Sequence, residues 1–299
     1  MSKKILAIYF TQSGQLTEIV DAFCKPIQES GISTEIVVIT PKDSFLFPWT
    51  SERFFDAMPE SVLGIPVELN PFFFKEQSYD LIVFAYQPWY LSPSIPATSI
   101  LKHPEIIKIM AHTPVITIIG SRNMWLNAQE KVKALLKDAH ANLVGNIALA
   151  DKHNNHLSAI SIVHWMLSGK KDRYLGIFPK PGISEKDIQH TEVFGTIVLN
   201  YLQKGAWDGL QAELISNKAV EIKANLMFIE GRAGRLFSIW ANLIRNSKNR
   251  KLWVYAFKYY LAIALFVVAP IVVVINEVFF QPFVDKQIKN KIKYYSGLN

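Results

Sequence analysis

The sequence predicts an α/β fold: a doubly wound, five-stranded parallel sheet with two insertions and a C-terminal helical tail that associates with a membrane. Three observations carry this. Short apolar runs rich in β-formers alternate five times with helical periodicity, the pattern of a parallel sheet covered on both faces. The 299 residues are long for one compact domain and short for two. The charge is also segregated. From Leu226 onward 11 Lys and Arg face 3 Asp and Glu, whereas residues 1–225 carry 21 against 22. The whole excess of +7 therefore belongs to the tail. A near-neutral body with a basic, apolar tail points to anionic lipid and away from nucleic acid.

The strands expected are Ile5 to Phe10, Leu81 to Tyr86 and Val115 to Ile119, with weaker ones at Glu35 to Ile39 and Leu143 to Ala150. Helical stripes follow at Leu16, Ile19, Val20, Phe23 and Ile27, at Val132, Leu135 and Leu136, and at Phe194, Ile197, Val198, Tyr201 and Leu202. The opening MSKKILAIYF has too short an apolar run for a secretory signal and reads as the first strand. Cys24 is the single cysteine and lies inside a predicted helix, so it reads as a small buried residue; a reducing cytoplasm suits the body. Two stretches break the rhythm. Residues 40–78 are rich in Phe and Pro and are too apolar for a plain loop, and residues 151–182 combine DKHNNH, a helical SAISIVHWMLSG and a basic KKDR.

The loop Thr11, Gln12, Ser13, Gly14, Gln15, Leu16, Thr17 joins the first strand directly to an amphipathic helix. It offers what a phosphate needs: helix N-terminal N–H groups, hydroxyls and a glycine for close approach. It lacks the spacing of a triphosphate loop and of a dinucleotide fingerprint. Taken alone it reads equally as a helix N-cap.

In the tail, Tyr259 to Ile275 is an uncharged run of 17 residues, extended toward bilayer length by Asn276 to Phe280. Arg232, Arg235, Arg245, Lys248, Arg250 and Lys251 precede it, with Trp240 and Trp253; Lys286, Lys289, Lys291 and Lys293 follow it. A simple span would export the four lysines, against the positive-inside rule. A re-entrant or in-plane segment bent at Pro270 keeps both flanks on one side, and a buried helix of the soluble core is the third reading.

IYFTQSGQLTEI resembles the first loop of the flavodoxin family at Thr11, Ser13 and Gly14, and departs from it at Leu16, where that family places a hydroxyl. The resemblance covers about residues 3–204. It implies a domain over residues 1–204 that binds FMN at the carboxyl ends of the strands, and the basic, apolar residues 205–299 read as the membrane-associating region. It also implies ring contacts from two further loops, Gln87, Pro88, Trp89 and Tyr90, and Gly120, Ser121, Asn123, Met124 and Trp125. The pairing of TQSGQLTEI with FPW, QPWYLSPSIP, GSRNMW and the basic apolar tail is similar to the bacterial dialkylresorcinol condensing enzymes. That resemblance implies aromatisation of a dialkylcyclohexanedione to a dialkylresorcinol. It also implies an apolar small-molecule substrate and a ketosynthase of the same pathway as partner; the basic apolar tail and the single cysteine add membrane lipid at the C-terminal region and a place on the cytoplasmic face of the inner membrane, and a homodimer is a further expectation. Candidate catalytic residues are Tyr90, Arg122 and His164, with His153 and His156 as further candidates for the base. No metal is expected. Three alternatives share the fold: an NAD(P)H-dependent FMN or quinone reductase, an electron carrier, and a non-catalytic membrane-tethered scaffold.

Overall fold

Alternation along each strand builds the two faces of the sheet. In β1 (Lys4–Tyr9), Ile5, Ala7 and Tyr9 point into one apolar cluster, while Leu6, Ile8 and the following Phe10 point into another. The computed structural model describes residues 3–275 and 285–298 of the chain. β1 leads into α1 (Gln15–Glu29), β2 (Ser33–Val38), the short α2 (Ser51–Asp56) and α3 (Met58–Leu63), and β3 (Leu81–Tyr86). A two-residue ladder, β4 (Pro88–Trp89) with β5 (Ser92–Pro93), precedes α4 (Ile95–Lys102), α5 (Pro104–Met110), β6 (Pro114–Ser121), α6 (Leu126–Asp138) and β7 (Asn142–Ala150). There follow α7 (Asn155–Ser168), α8 (Glu185–Lys204), α9 (Leu210–Ser216), α10 (Ala224–Asn246), α11 (Arg250–Ile263), α12 (Ala269–Ile275) and α13 (Asp285–Ser296).

The main sheet has the order β2-β1-β3-β6-β7, with every pair parallel. Taken in chain order its strands run 2-1-3-4-5, the flavodoxin-like doubly wound arrangement, whose switch point lies between β1 and β3. β3 is buried at every position, whereas the edge strand β2 alternates, which is why its sequence signal was weaker. On one face α1 and α8 cross closely because residue 195 is glycine. A Cβ there would stand 2.1 Å from the Phe23 carbonyl oxygen. α4, α5 and α6 cover the other face through Ile100, Ile106, Met110, Val132 and Leu136.

The chain beyond residue 204 is not a separate appendage, so the boundary expected there does not divide two bodies. Leu210 and Leu214 of α9 belong to the sheet's own core, and Ala148 of β7 bridges to Val220. Phe237, Ala241 and Ile244 of α10 and Val254 and Phe257 of α11 pack on Met58 and Val62 of α3. The apolar run expected from the sequence continues α11 through a π-turn at Ala264–Val268 into α12; its extension over 276–280 lies outside the described residues.

Candidate functional site

The loops at the carboxyl ends of β1, β3 and β6 converge, and each brings a buried polar group with no partner among the described residues. These are the Thr11 hydroxyl after β1, both amide atoms of Gln87 after β3, and the Asn123 Oδ1 after β6. The indole N–H of Trp49, from the first insertion, is a fourth. A buried polar atom without a partner costs roughly 1–3 kcal/mol, so four gathered at one end of a sheet mark a place built for a polar ligand.

Beside Thr11, α1 begins at Gly14, whose φ of 86° is left-handed, and no side chain caps the helix. Nothing lies within 4 Å of where a Gly14 Cβ would stand. The loop's remaining side chains are committed elsewhere. The Gln15 amide donates to the Ile183 carbonyl at 3.1 Å and accepts from the Ile183 N–H at 3.0 Å. Leu16 is buried against Gly120, in the core, and Thr17 pairs with the buried Tyr9 hydroxyl. Gln12 reaches the Phe45 carbonyl at 3.5 Å, and Ser13 is exposed. The residues expected to grip a phosphate thus reduce to the Thr11 hydroxyl, Ser13 and the uncapped N–H groups of the first turn.

Trp89 of β4 sits in an aromatic box made largely by the first insertion. Trp49 and Phe45 meet it edge-on at 5.1 Å, and Phe10 at 6.3 Å. Sequence reasoning missed this box; the signal was the Phe and Trp density of residues 45–54. The two insertions meet over the strand ends, where the backbone N–H of Trp49 donates to the Met166 carbonyl at 2.7 Å and Phe47 packs on Trp165 at 5.8 Å.

Three residues expected near the ring are placed otherwise. Tyr90 has a positive φ of 49°, which turns its side chain away from Trp89 and toward Phe237 and Phe257 of the tail helices. Its hydroxyl donates to the Phe54 carbonyl, and burial raises its pKa well above the usual tyrosine value, so it is no proton acceptor. Ser121 donates to the Leu149 carbonyl at 3.3 Å, and Trp125 is buried in the core between the sheet and α6. Met124 is half-buried in the same turn.

His164 is likewise held away from the strand ends by its own insertion. Its Nε2 meets Asp172 at 2.8 Å and its ring lies against Tyr174 at 4.4 Å. His153 has a different setting. Its Nδ1 contacts the buried Asp151 carboxylate at 2.6 Å, while the second Asp151 oxygen accepts from Ser158 at 2.6 Å. The carboxylate selects the tautomer with the proton on Nδ1 and leaves Nε2 as an acceptor. Arg122 donates to the Asn155 carbonyl at 3.0 Å; burial lowers its pKa to about 10, and the neighbouring Asp151 opposes that shift. His153 and Asn123 line one cavity of about 370 Å³ together with His156, Lys223, Ile229 and Pro270. Its lining is polar at the strand-end loops, while the tail contributes Lys223 and Asn225 beside the apolar Leu226, Ile229 and Pro270.

The turn after β6 carries one more feature invisible to local reading. Glu230 of α10 is buried, and its carboxylate accepts from the Asn127 N–H at 2.8 Å, with the Leu126 and Trp125 N–H groups also donating to it. It fills the N-terminus of α6. Burial raises it to about 7 despite those donors. Among the described residues no group of His, Cys, Asp and Glu could hold a metal ion.

No family model and no curated protein matches the chain. Among solved structures, a flavoprotein from Lactobacillus acidophilus NCFM in complex with FMN covers 49% of this chain and 93% of its own, at 16% identity and a TM-score of 0.41. A flavodoxin from the domain Archaea covers 67% and 99%, at 9% identity and 0.37. Oxidised flavodoxin 1 from Bacillus cereus covers 65% and 95%, at 13% and 0.33. At these scores the likeness adds nothing to the strand order β2-β1-β3-β6-β7, which by itself gives this chain a flavodoxin-like doubly wound sheet.

Proposed function

We propose that the chain is an FMN-dependent oxidoreductase that aromatises a dialkylcyclohexanedione to a dialkylresorcinol, held by its C-terminal region on the cytoplasmic face of a bacterial inner membrane. One observation carries the flavin: the unpartnered polar groups of Thr11, Gln87 and Asn123 at three successive strand ends, beside an uncapped helix N-terminus. In this reading Thr11, Ser13 and the first turn of α1 hold the phosphate. Gln87 and Asn123 satisfy the polar edge of the ring, and Trp49 and Trp89 wall it from solvent.

Bound FMN supplies a two-electron acceptor, which removal of two hydrogens from a saturated ring position requires. His153, oriented by Asp151, takes the acidic proton beside the substrate carbonyl. The C–H electron pair moves into the carbonyl and the proton arrives at Nε2; the second hydrogen, on the neighbouring ring carbon, leaves with its electron pair as the hydride that FMN would accept. Arg122 is a positioning residue, tying the β6 turn to Asn155 beside the dyad. The cavity's apolar wall at Ile229 and Pro270 suits alkyl chains. The nicotinamide-dependent alternative needs an open ring face, and Trp49 and Phe45 packed on Trp89 count against it.

The test is an anaerobic titration of the yellow holoprotein. A dialkylcyclohexane-1,3-dione is expected to bleach the flavin while NADPH does not, and His153→Asn is expected to slow bleaching by roughly 10²–10⁴ with flavin content unchanged. Bleaching by NADPH alone, or a colourless protein that takes up no added FMN, refutes the proposal.

A further inference from the structure

The apolar helix is tied to one body at both ends. At its start Arg250 donates to Asp56 at 2.7 Å and to Glu60 at 2.8 and 2.9 Å. Near its end Pro270 lines the cavity that holds Asn123 and His153. Beyond it α13 is docked on the sheet domain, with Ile288, Ile292 and Tyr295 against the core. The Tyr294 hydroxyl donates to Glu130 at 2.7 Å, and Gln211 donates to the Ser296 carbonyl at 2.9 Å.

The segment Arg250–Val272 has 23 residues, and an 18-residue window within it has a mean hydropathy of 1.8, enough in length and composition to cross a bilayer. Crossing would put α13 on the side opposite the sheet. Nine residues, 276–284, separate α12 from α13 in the sequence, and a return helix across the hydrocarbon core needs about 20.

Over residues 252–266 exposure follows one side: Leu252, Tyr255, Tyr259, Ile263 and Phe266 are exposed, whereas Val254 and Phe257 are buried and positions 260, 261, 264 and 265 are half-buried; beyond it Val267, Val268 and Ile271 are exposed as well, while 269 and 270 are half-buried. The adjoining α10 repeats this, with Leu236, Ile239 and Leu243 exposed opposite its buried Phe237, Ala241 and Ile244. Both stripes therefore face away from the body. Arg232, Arg235, Lys248 and Lys251 are exposed around them, and the one acid on these two helices, Glu230, is buried. An apolar stripe on helices that carry exposed cations and no exposed acid of their own is complementary to anionic lipid.

We propose that α10, α11 and α12 seat the protein in a single leaflet of an anionic phospholipid membrane. Leu236, Ile239, Leu243, Leu252, Tyr255 and Ile263 enter the acyl region, and both ends of the apolar helix stay on the side of the sheet. This rests on the membrane association proposed above and is independent of the flavin.

The test uses the full chain with Cys24→Ser, added to preformed phosphatidylcholine vesicles with and without phosphatidylglycerol. In intact vesicles Lys248→Cys and Ser296→Cys are expected to react equally with a membrane-impermeant maleimide. A fluorophore at Leu252→Cys and one at Ile263→Cys should be quenched equally by a lipid carrying its quencher near the headgroup. The pair Ile239→Lys and Tyr255→Lys should reduce the bound fraction at least tenfold with the circular dichroism spectrum unchanged. Protection of Ser296→Cys until the vesicles are lysed means a span and overturns the single-leaflet seat. A lipid-independent dimer that shields both fluorophores assigns the face to a second copy and overturns it as well. Failure to bind either vesicle removes the membrane association itself.

Discussion

Two helices begin at the same end of the sheet, and their N-termini are treated in opposite ways. α1, after β1, starts at an uncapped Gly14 beside the partnerless Thr11 hydroxyl. α6, after β6, starts against a carboxylate that the protein supplies from α10, 103 residues further on. Both termini attract anions by the same partial charge. Only one is left for an outside ligand, so an external phosphate is directed to α1 by the occupation of α6 as much as by the chemistry of the Thr11 loop.

Emptying the filled terminus should have the largest effect. Glu230→Ala strands three backbone N–H groups in the core and is expected to cost about 3 kcal/mol of unfolding free energy, read from the urea midpoint. Glu230→Gln keeps an acceptor and should cost less. The same carboxyl makes stability pH-dependent. Its folded pKa of about 7 lies above the unfolded value of 4.5, so the folded state binds the extra proton between them. Its contribution is fully present below about pH 4.5 and is lost as the pH rises through 7, a change of roughly 3 kcal/mol that Glu230→Gln should flatten in urea titrations across that window.

Filling the empty terminus is the converse experiment. Ser13→Glu places a carboxylate where the phosphate is expected and should weaken FMN binding by about 2 kcal/mol, near thirtyfold in Kd by fluorescence quenching, with little change in stability. The smallest effect is expected from Thr11→Val. It removes a hydroxyl already without a protein partner, so FMN affinity should fall by about 1 kcal/mol while the apoprotein is no less stable. Equal destabilisation of the apoprotein by Ser13→Glu and by Glu230→Ala would erase the distinction between the two termini.

The contrast also shows which parts of the molecule are written locally. The strands were legible because parallel strands buried on both faces are continuous apolar runs, and β2 was faint because it is an edge. Thr11 and Gly14 were legible because a strand, a turn and a helix follow one another within a dozen residues. Glu230 was not, since nothing near it in sequence says that its partner is the start of α6. Tyr90 failed for a different reason: two successive positive φ values, at Tyr90 and Leu91, reverse the side-chain direction that adjacency to Trp89 suggests. His153 stood among three candidate histidines; both it and His164 pair with an aspartate, and what separates His153 is that its Asp151 is buried and that it lines the cavity beside Asn123.

The paired hydrogen bonds between Gln15 and Ile183 join the loop after β1 to the far end of the second insertion. Gly182 leaves no slack in that joint, because a Cβ there would stand 2.7 Å from the Gln15 amide oxygen and 3.0 Å from the Trp165 ring. Whatever fixes the first turn of α1 therefore also fixes Gly182 and Ile183, the anchor of the stretch that precedes them. The stretch around Leu175 and Ile177 is exposed and open to a protease. FMN is expected to slow chymotryptic cleavage there several-fold, and Gln15→Ala to abolish that protection while leaving cleavage of the apoprotein as fast as before, so that digestion at a distant loop reports what is bound at the end of β1.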